Sequence, residues 1–597
     1  MNDIGKNYFS LLIIVSLIMS LNSVTVIQVI SAQSSSPKPT TVGSSDTERR
    51  LPGSGPAREV EASPQPKQLT DQERSKLQQQ LNKTDIVPDI PISSKPVLGP
   101  ENGTQTIANT TQSNASNVSM PKGEIKRTMI SLTSSTTNKP SLKVIENKTI
   151  TPGGGSLSYS METSLANKDN LLFYTGNWFA ARSVDGGSTW GYISPKDHFE
   201  FFCCDQDVIY DPNHEIFIWY RQGQDEPENH LSIAVSSDTF SWRHYTFTLS
   251  NVNSSWVGQS SDYPSLALSK KYLYISMNTV GESGIHPLIL RLSLDDLANP
   301  SGIGPIFDYY VDPTLPMTSH TFTPVQGAND TMYWGIHLST SAMRVYQWAD
   351  SLPSGSVRSF DRDVPAWSLL TRGEGHCEGP DHTDWCVRGL SKIRGAFMAN
   401  NVIGFLWDAN NGTSAGKSAN NATFNYPYID AATFKISDNM SYLGRPYLWS
   451  PTFAWMYGYS SPDNHGNVAI QAFYGGGPYS PSVGAGIGND FRSSSPWNMI
   501  QVANGTNGPT FTSRYPPSWG DYIRIRAFNG EGPGWIGSGW ALIGGNTNEF
   551  AIPYYFKFAL EGNNQTASSS TDSVSQSILK QELEKNYFLA NLYTGKK

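Results

Sequence analysis

From residue 145 to residue 562 a loose unit of roughly 45 to 60 residues recurs, and this recurrence constrains the fold more than any single motif. Each unit opens with a polar or aromatic cluster and runs into an alternating strand. The openings fall at 204–210, 261–266, 318–322, 385–390, 451–455 and 519–523, and strands such as 216–220, 272–276 and 402–407 follow several of them. Gly and Pro are abundant here, and Trp, Tyr and Phe recur between short polar turns. That composition favours many short strands over long helices. A unit of this length holds one four-stranded sheet, and radial repetition of such sheets makes a β-propeller. The fold class is therefore all-β, with six or seven blades; seven results when the unit preceding the first opening is included.

That first unit carries Ser183-Val184-Asp185-Gly186-Gly187-Ser188-Thr189-Trp190, whose residue types suit a tight, self-bonded turn between two strands. Asp185 can accept backbone N–H bonds across the turn, and the glycines can take the positive φ it needs. The indole of Trp190 is then free to pack on the next strand. The pattern Ser-x-Asp-x-Gly-x-Thr-Trp, carried by Ser183, Asp185, Gly187, Thr189 and Trp190, resembles the Asp box, or BNR repeat, of sialidase-like β-propellers. Ser236-Ser237-Asp238-Thr239-Phe240-Ser241-Trp242 is similar to a second copy without the glycines. The resemblance implies a structural turn at the rim, away from any ligand pocket.

Residues outside the repeats read differently. Lys6 followed by an apolar run and then Ser31-Ala32 predicts a signal peptide over 1–32, or an uncleaved anchor. Residues 33–144, rich in Ser, Thr, Pro, Gln and Asn, predict a disordered stalk, with one short helix over 70–81. After the propeller at 145–562, residues 563–597 predict a linker and a short amphipathic helix. Asn-x-Ser/Thr sequons at Asn102, Asn109, Asn114, Asn117, Asn147, Asn253, Asn329, Asn411, Asn421, Asn439 and Asn504 agree with a secreted or cell-surface protein. The net charge is −8 and no long basic run occurs, which argues against nucleic acid as a partner.

The four cysteines suit an oxidising compartment. One pairing joins Cys203 to Cys204 and Cys377 to Cys386; its rival pairs across the two sets. With His376 and His382, Cys377 and Cys386 could instead hold zinc or copper, although metal-site spacing is not matched.

In a propeller the inner strands begin near one mouth of the channel, so the openings converge there. Asp205, Asp207, Asp262, Tyr263, His320, Arg388, Trp519, Asp521, Tyr522 and Arg524 are accordingly the candidates, a set suited to a sugar or another polar ligand. Calcium held by Asp205, Asp207 and carbonyls is compatible with the residue types. The sialidase-like resemblance implies an acid/base at Asp262 or Asp521, a nucleophile at Tyr522, and Arg388 and Arg524 on a substrate carboxylate. The family's early Phe/Tyr-Arg-Ile-Pro signature is absent. The expectation is a glycan-processing hydrolase; the alternative is a non-catalytic surface module that binds glycans or proteins.

Overall fold

The computed structural model describes residues 49–54, 58–59, 97–98, 142–150, 161–195, 199, 201–223, 230–281, 284–316, 321–414, 422–488, 491–492, 497–510, 519–547 and 550–561. The N-terminal apolar segment, the helix expected over 70–81, His320 and the C-terminal segment 563–597 lie outside them.

Seven four-stranded antiparallel sheets form a β-propeller. The inner strands of blades one to six are Ser164–Lys168, Phe202–Asp211, Ser260–Leu268, Thr323–Pro324, Ile393–Ala399 and Ala454–Pro462. The seventh blade starts at Ile525–Ala527, continues through Trp535–Leu542 and Ala551–Leu560, and takes its outermost strand, Leu142–Thr149, from the other end of the chain. Leu142 pairs with Leu560 and Thr149 with Tyr554, which closes the ring.

Most blade strands do not show the one-sided alternation of a solvated sheet, because each blade is covered on both faces by its neighbours. Ala454–Pro462 and Val468–Gly476 are buried at every position. Between the first two blades, Phe173, Trp219 and Trp242 pack with ring centroids about 5 Å apart.

Because each blade runs from inside to outside, the interblade connections and the turns between second and third strands share one face. The turns between third and fourth strands lie on the other. The turn at Asp185 joins Phe179–Ser183 to Gly191–Ile193 and so sits on that second face. Ser183 Oγ accepts from Gly187 N at 2.8 Å, and Asp185 accepts from Thr189 N at 2.8 Å and Thr189 Oγ1 at 2.7 Å. Gly187, at φ +83°, leaves room for the Tyr555 ring, and Trp190 stands edge-on to both Tyr174 and Tyr555. The second blade repeats the arrangement: Asp238 accepts from Ser241 N at 2.8 Å, and Trp242 Nε1 donates to Thr239 O at 3.1 Å.

Asp185→Ala should lower stability by about 1–2 kcal/mol, through three charge-assisted bonds at a largely exposed site. Burial raises the Asp185 pKa, but Thr189 and Ser183 bonding outweighs it and holds the value below the usual carboxylate range. The difference from the parent in urea unfolding should therefore be full at neutral pH and fade as pH falls through that depressed value.

Part of the expected free stalk is docked. Leu51 is buried, its N–H bonds Pro305 O at 3.0 Å, and Arg58–Glu59 adds a fifth strand to the second blade. Val97–Leu98 pairs with Thr423 and Ala422. The low aromatic content hid these pairings, which are made by backbone groups and one leucine. Cysteines pair as Cys203–Cys204 and Cys377–Cys386, and no free cysteine occurs among the described residues. The zinc or copper reading is thereby corrected, since both sulfurs of the 377–386 loop are consumed.

Candidate functional site at the channel mouth

The starts of the inner strands carry the site. Register shifts at Phe202/Gln206, Asp262/Ser265 and Met456/Tyr459 bend these strands at the mouth. Glu162, Tyr263 and Tyr457 have left-handed backbones at φ 50–60°. Bulges and strained residues of this kind re-aim side chains, here towards the axis.

Four carboxylates meet there: Glu162 ahead of the first inner strand, Asp205 and Asp262 within the second and third, and Asp521 ahead of the seventh. Glu162 Oε2 accepts from Asn177 Nδ2 at 2.7 Å, and its Oε1 accepts from Asp521 N at 2.8 Å. Asp205, 9% exposed, has no hydrogen-bond partner among the described residues and follows the Cys203–Cys204 bridge directly. Asp262 is exposed.

Cations from the fifth blade face them. Lys392 Nζ lies 3.6 Å from Asp521 Oδ2 and 3.3 Å from the centroid of the Tyr263 ring. Arg394 is buried; its Nε binds Asp408, and its Nη1 donates to Tyr263 OH at 2.8 Å and to the Asp521 carbonyl. The loop before this strand is stapled by Cys377–Cys386 and pinned by Trp385 against Tyr457, Phe473 and Trp519. It presents Arg372 and Arg388, both exposed and without a hydrogen-bond or ion-pair partner among the described residues.

The environment splits the acids. Burial, then the charge of Asp521, raises the Glu162 pKa to about 7. Burial and the charges of Glu162, Asp262 and Asp521 push Asp205 well above the carboxylate range. Burial would raise Asp521 too, but Lys392, Arg394, Arg372 and Arg388 overcome it and hold this carboxyl low. Burial also pushes the hydroxyls of Tyr263, Tyr459 and Tyr522 up, away from the tyrosinate form.

Of the residues expected from sequence, Asp205, Asp262, Tyr263, Arg388 and Asp521 come together at the mouth. Four others are redirected. Asp207 is wholly buried, bound to Arg524, Arg526, Ser164 and Leu266 N, so it cannot share a calcium ion with Asp205. Arg524 is committed to Asp207 and to Pro264 O at 2.9 Å, which removes it from a substrate carboxylate. Tyr522 is fully buried with its hydroxyl on the Gln206 backbone, out of reach for a nucleophile. Trp519 is 1% exposed and stacked on Trp540, so it has no face left for a ligand.

Sequence reasoning missed Glu162, Lys392, Arg394 and Arg372. Glu162 precedes a strand in a unit whose opening was not identified. Lys392 and Arg394 lie just past 385–390, the stretch read as an opening, although Lys-Ile-Arg before an apolar strand fits the pattern of the others.

No protein-family model matches the chain, and no curated protein matches it in sequence. Solved structures do. A protein of unknown function from Dyadobacter fermentans is similar over 71% of this chain and 100% of its own, at 10% identity and a TM-score of 0.35. A family 117 glycoside hydrolase from Zobellia galactanivorans is similar over 49% of this chain and 89% of its own, at 12% identity and a TM-score of 0.25. An α-L-arabinofuranosidase from Podospora anserina is similar over 68% of this chain and 98% of its own, at 7% identity and a TM-score of 0.27. At such values these likenesses carry no argument about activity.

Proposed function

We propose that this propeller is a glycoside hydrolase acting on acidic glycans, with Glu162 as proton donor and Asp521 as its ionised partner. The observation that carries this reading is the placement of two carboxyl groups at one mouth, with Glu162 Oε1 accepting from the Asp521 main-chain N–H at 2.8 Å and Lys392 Nζ 3.6 Å from Asp521 Oδ2, in surroundings that favour the proton on Glu162 and the charge on Asp521. Acids pushed apart in this way divide the work of glycosidic cleavage. Glu162 gives its proton to the leaving oxygen as the bond to the anomeric carbon breaks. Asp521, held by Lys392 and Arg394, faces the positive charge that develops on that carbon. Where the two carboxyl groups leave room for a water, Asp521 takes a proton from that water as it bonds to the anomeric carbon; where they do not, Asp521 bonds to the carbon itself and water, deprotonated by Glu162, then releases the sugar. A tyrosine nucleophile is disfavoured, because burial raises the hydroxyls of Tyr263, Tyr459 and Tyr522.

Arg372 and Arg388 support a negatively charged sugar. Exposed guanidinium groups without partners beside the site suit bidentate binding of a carboxylate. Sialosides and uronides are therefore the first substrates to try, and the two Asp-centred turns support kinship with sialidase-like propellers. The disulfide bridges support a place of work outside the cytoplasm.

A panel of fluorogenic glycosides, neutral and acidic, tests the reading on bridge-intact protein. Turnover of an acidic substrate should fall by about 10²–10⁴ in Asp521→Asn. Arg388→Ala should raise KM for acidic substrates about tenfold and leave neutral ones unchanged. No turnover anywhere in the panel would overturn the enzyme reading in favour of a glycan- or protein-binding surface module.

A further inference from the structure

Past the acids, the channel contains a small polar chamber that the proposed hydrolysis does not use. Its walls include Ser265, Gln326, Arg394, Ser460, Arg524 and Arg526, contributed by five different blades. The cavity is small, about 10 Å³ in volume.

We propose that this chamber binds one monatomic anion, a halide, between Arg394, Arg524 and Arg526. Each of the three is at least nine-tenths buried, and each keeps a buried guanidinium nitrogen without a hydrogen-bond partner: Arg394 Nη2, Arg524 Nη1 and Arg526 Nε. Ser460 Oγ is buried and unpartnered as well. The nearby acceptors are already taken. Asp207 serves Arg524 and Arg526, Asp408 serves Arg394, and Gln326 Oε1 accepts from Arg526 Nη1 at 2.7 Å. Asp521, 3.6 Å from Arg394, stands at the mouth and is shared with Lys392.

The charge count points the same way. Three guanidinium groups face two fully buried carboxylates, Asp207 and Asp408, and the next anion, Asp521, is divided between Arg394 and Lys392, so positive charge exceeds negative in this buried layer. An uncompensated buried charge is among the costliest features a fold can keep. Burial and the adjacent Arg524 both weaken the hold of Arg526 on its proton, although Asp207 opposes them. A water would offer two lone pairs and no charge to at least three unpartnered donors. A halide accepts from all of them and cancels the surplus.

The test uses the full chain with its bridges intact. Melting temperature should rise saturably with sodium chloride or bromide, by on the order of 2 °C, and stay flat in sodium gluconate at the same ionic strength. Crystals soaked in bromide should show an anomalous peak inside the chamber. Ser460→Asp carries its own carboxylate into the chamber, so it should remain folded and lose the halide response. A bromide-soaked crystal with no peak in the chamber overturns the proposal whatever the melting data show, and so does an equal response to gluconate. Because the readouts are melting and diffraction, the result stands apart from whether any glycoside is turned over.

Discussion

Asp207→Asn is expected to cost about 3–5 kcal/mol of stability, the largest effect of any single substitution considered for this chain. Oδ1 accepts from Ser164 Oγ at 2.7 Å and Arg526 Nη2 at 3.0 Å; Oδ2 accepts from Leu266 N at 2.9 Å and Arg524 Nε at 3.1 Å. One carboxylate thus joins the first, second, third and seventh blades. The amide has nearly the same shape, but it lacks the charge and turns a donor toward other donors, leaving two buried guanidinium groups uncompensated. Burial alone would raise the Asp207 pKa, yet Arg524 and Arg526 overcome it and hold the value low. Its contribution is therefore complete above the unfolded carboxylate value and lost as pH falls through the depressed folded value. Urea unfolding of parent and variant at pH 7 and again near pH 3 checks both the size and the trend.

Glu162→Gln should lower kcat by about 10²–10⁴ with a much smaller change in KM, because the amide keeps the shape and one of the two accepted bonds but has no proton to give. In the parent, activity should fall as pH rises through about 7, where Glu162 ionises. The variant's residual rate should lack that limb. Stability follows the same group. A carboxyl whose folded pKa lies above its unfolded value contributes fully below the unfolded value and loses that contribution as pH rises to about 7. Relative to the parent, the glutamine variant should therefore become progressively more stable between pH 4.5 and neutrality. Rate profiles and unfolding midpoints across that range would show whether one group governs both.

The blade rhythm was legible because it rests on local chemistry. Polar openings, alternating strands and Gly-containing turns are written within each unit, and all six stretches read as openings overlap an inner strand or end within three residues of one. The turn at Asp185 was legible for the same reason, since the side-chain bonds of Ser183 and Asp185 fall within eight residues. What escaped was long-range. Nothing near Asp207 in sequence shows that Arg524 and Arg526 will neutralise it, so a structural clamp had the look of a ligand residue. Tyr522 and Trp519 were misplaced for the related reason that period-two alternation separates faces but does not show which face another blade will cover. Glu162 and Arg394 are isolated charges until closure of the ring brings them to one mouth.

The strand Leu142–Thr149 gives that closure a practical meaning. It completes the seventh blade from the opposite end of the chain, so the two termini of the propeller hold each other like the ends of a clasp. A fragment cut to begin after residue 150 would leave Ala551–Leu560, a long and mostly buried strand, with a bare row of backbone donors and acceptors along its edge. Such an edge recruits whatever strand it meets, including its own copies. The propeller therefore includes Leu142, and any processing that spares the ring must leave that strand intact.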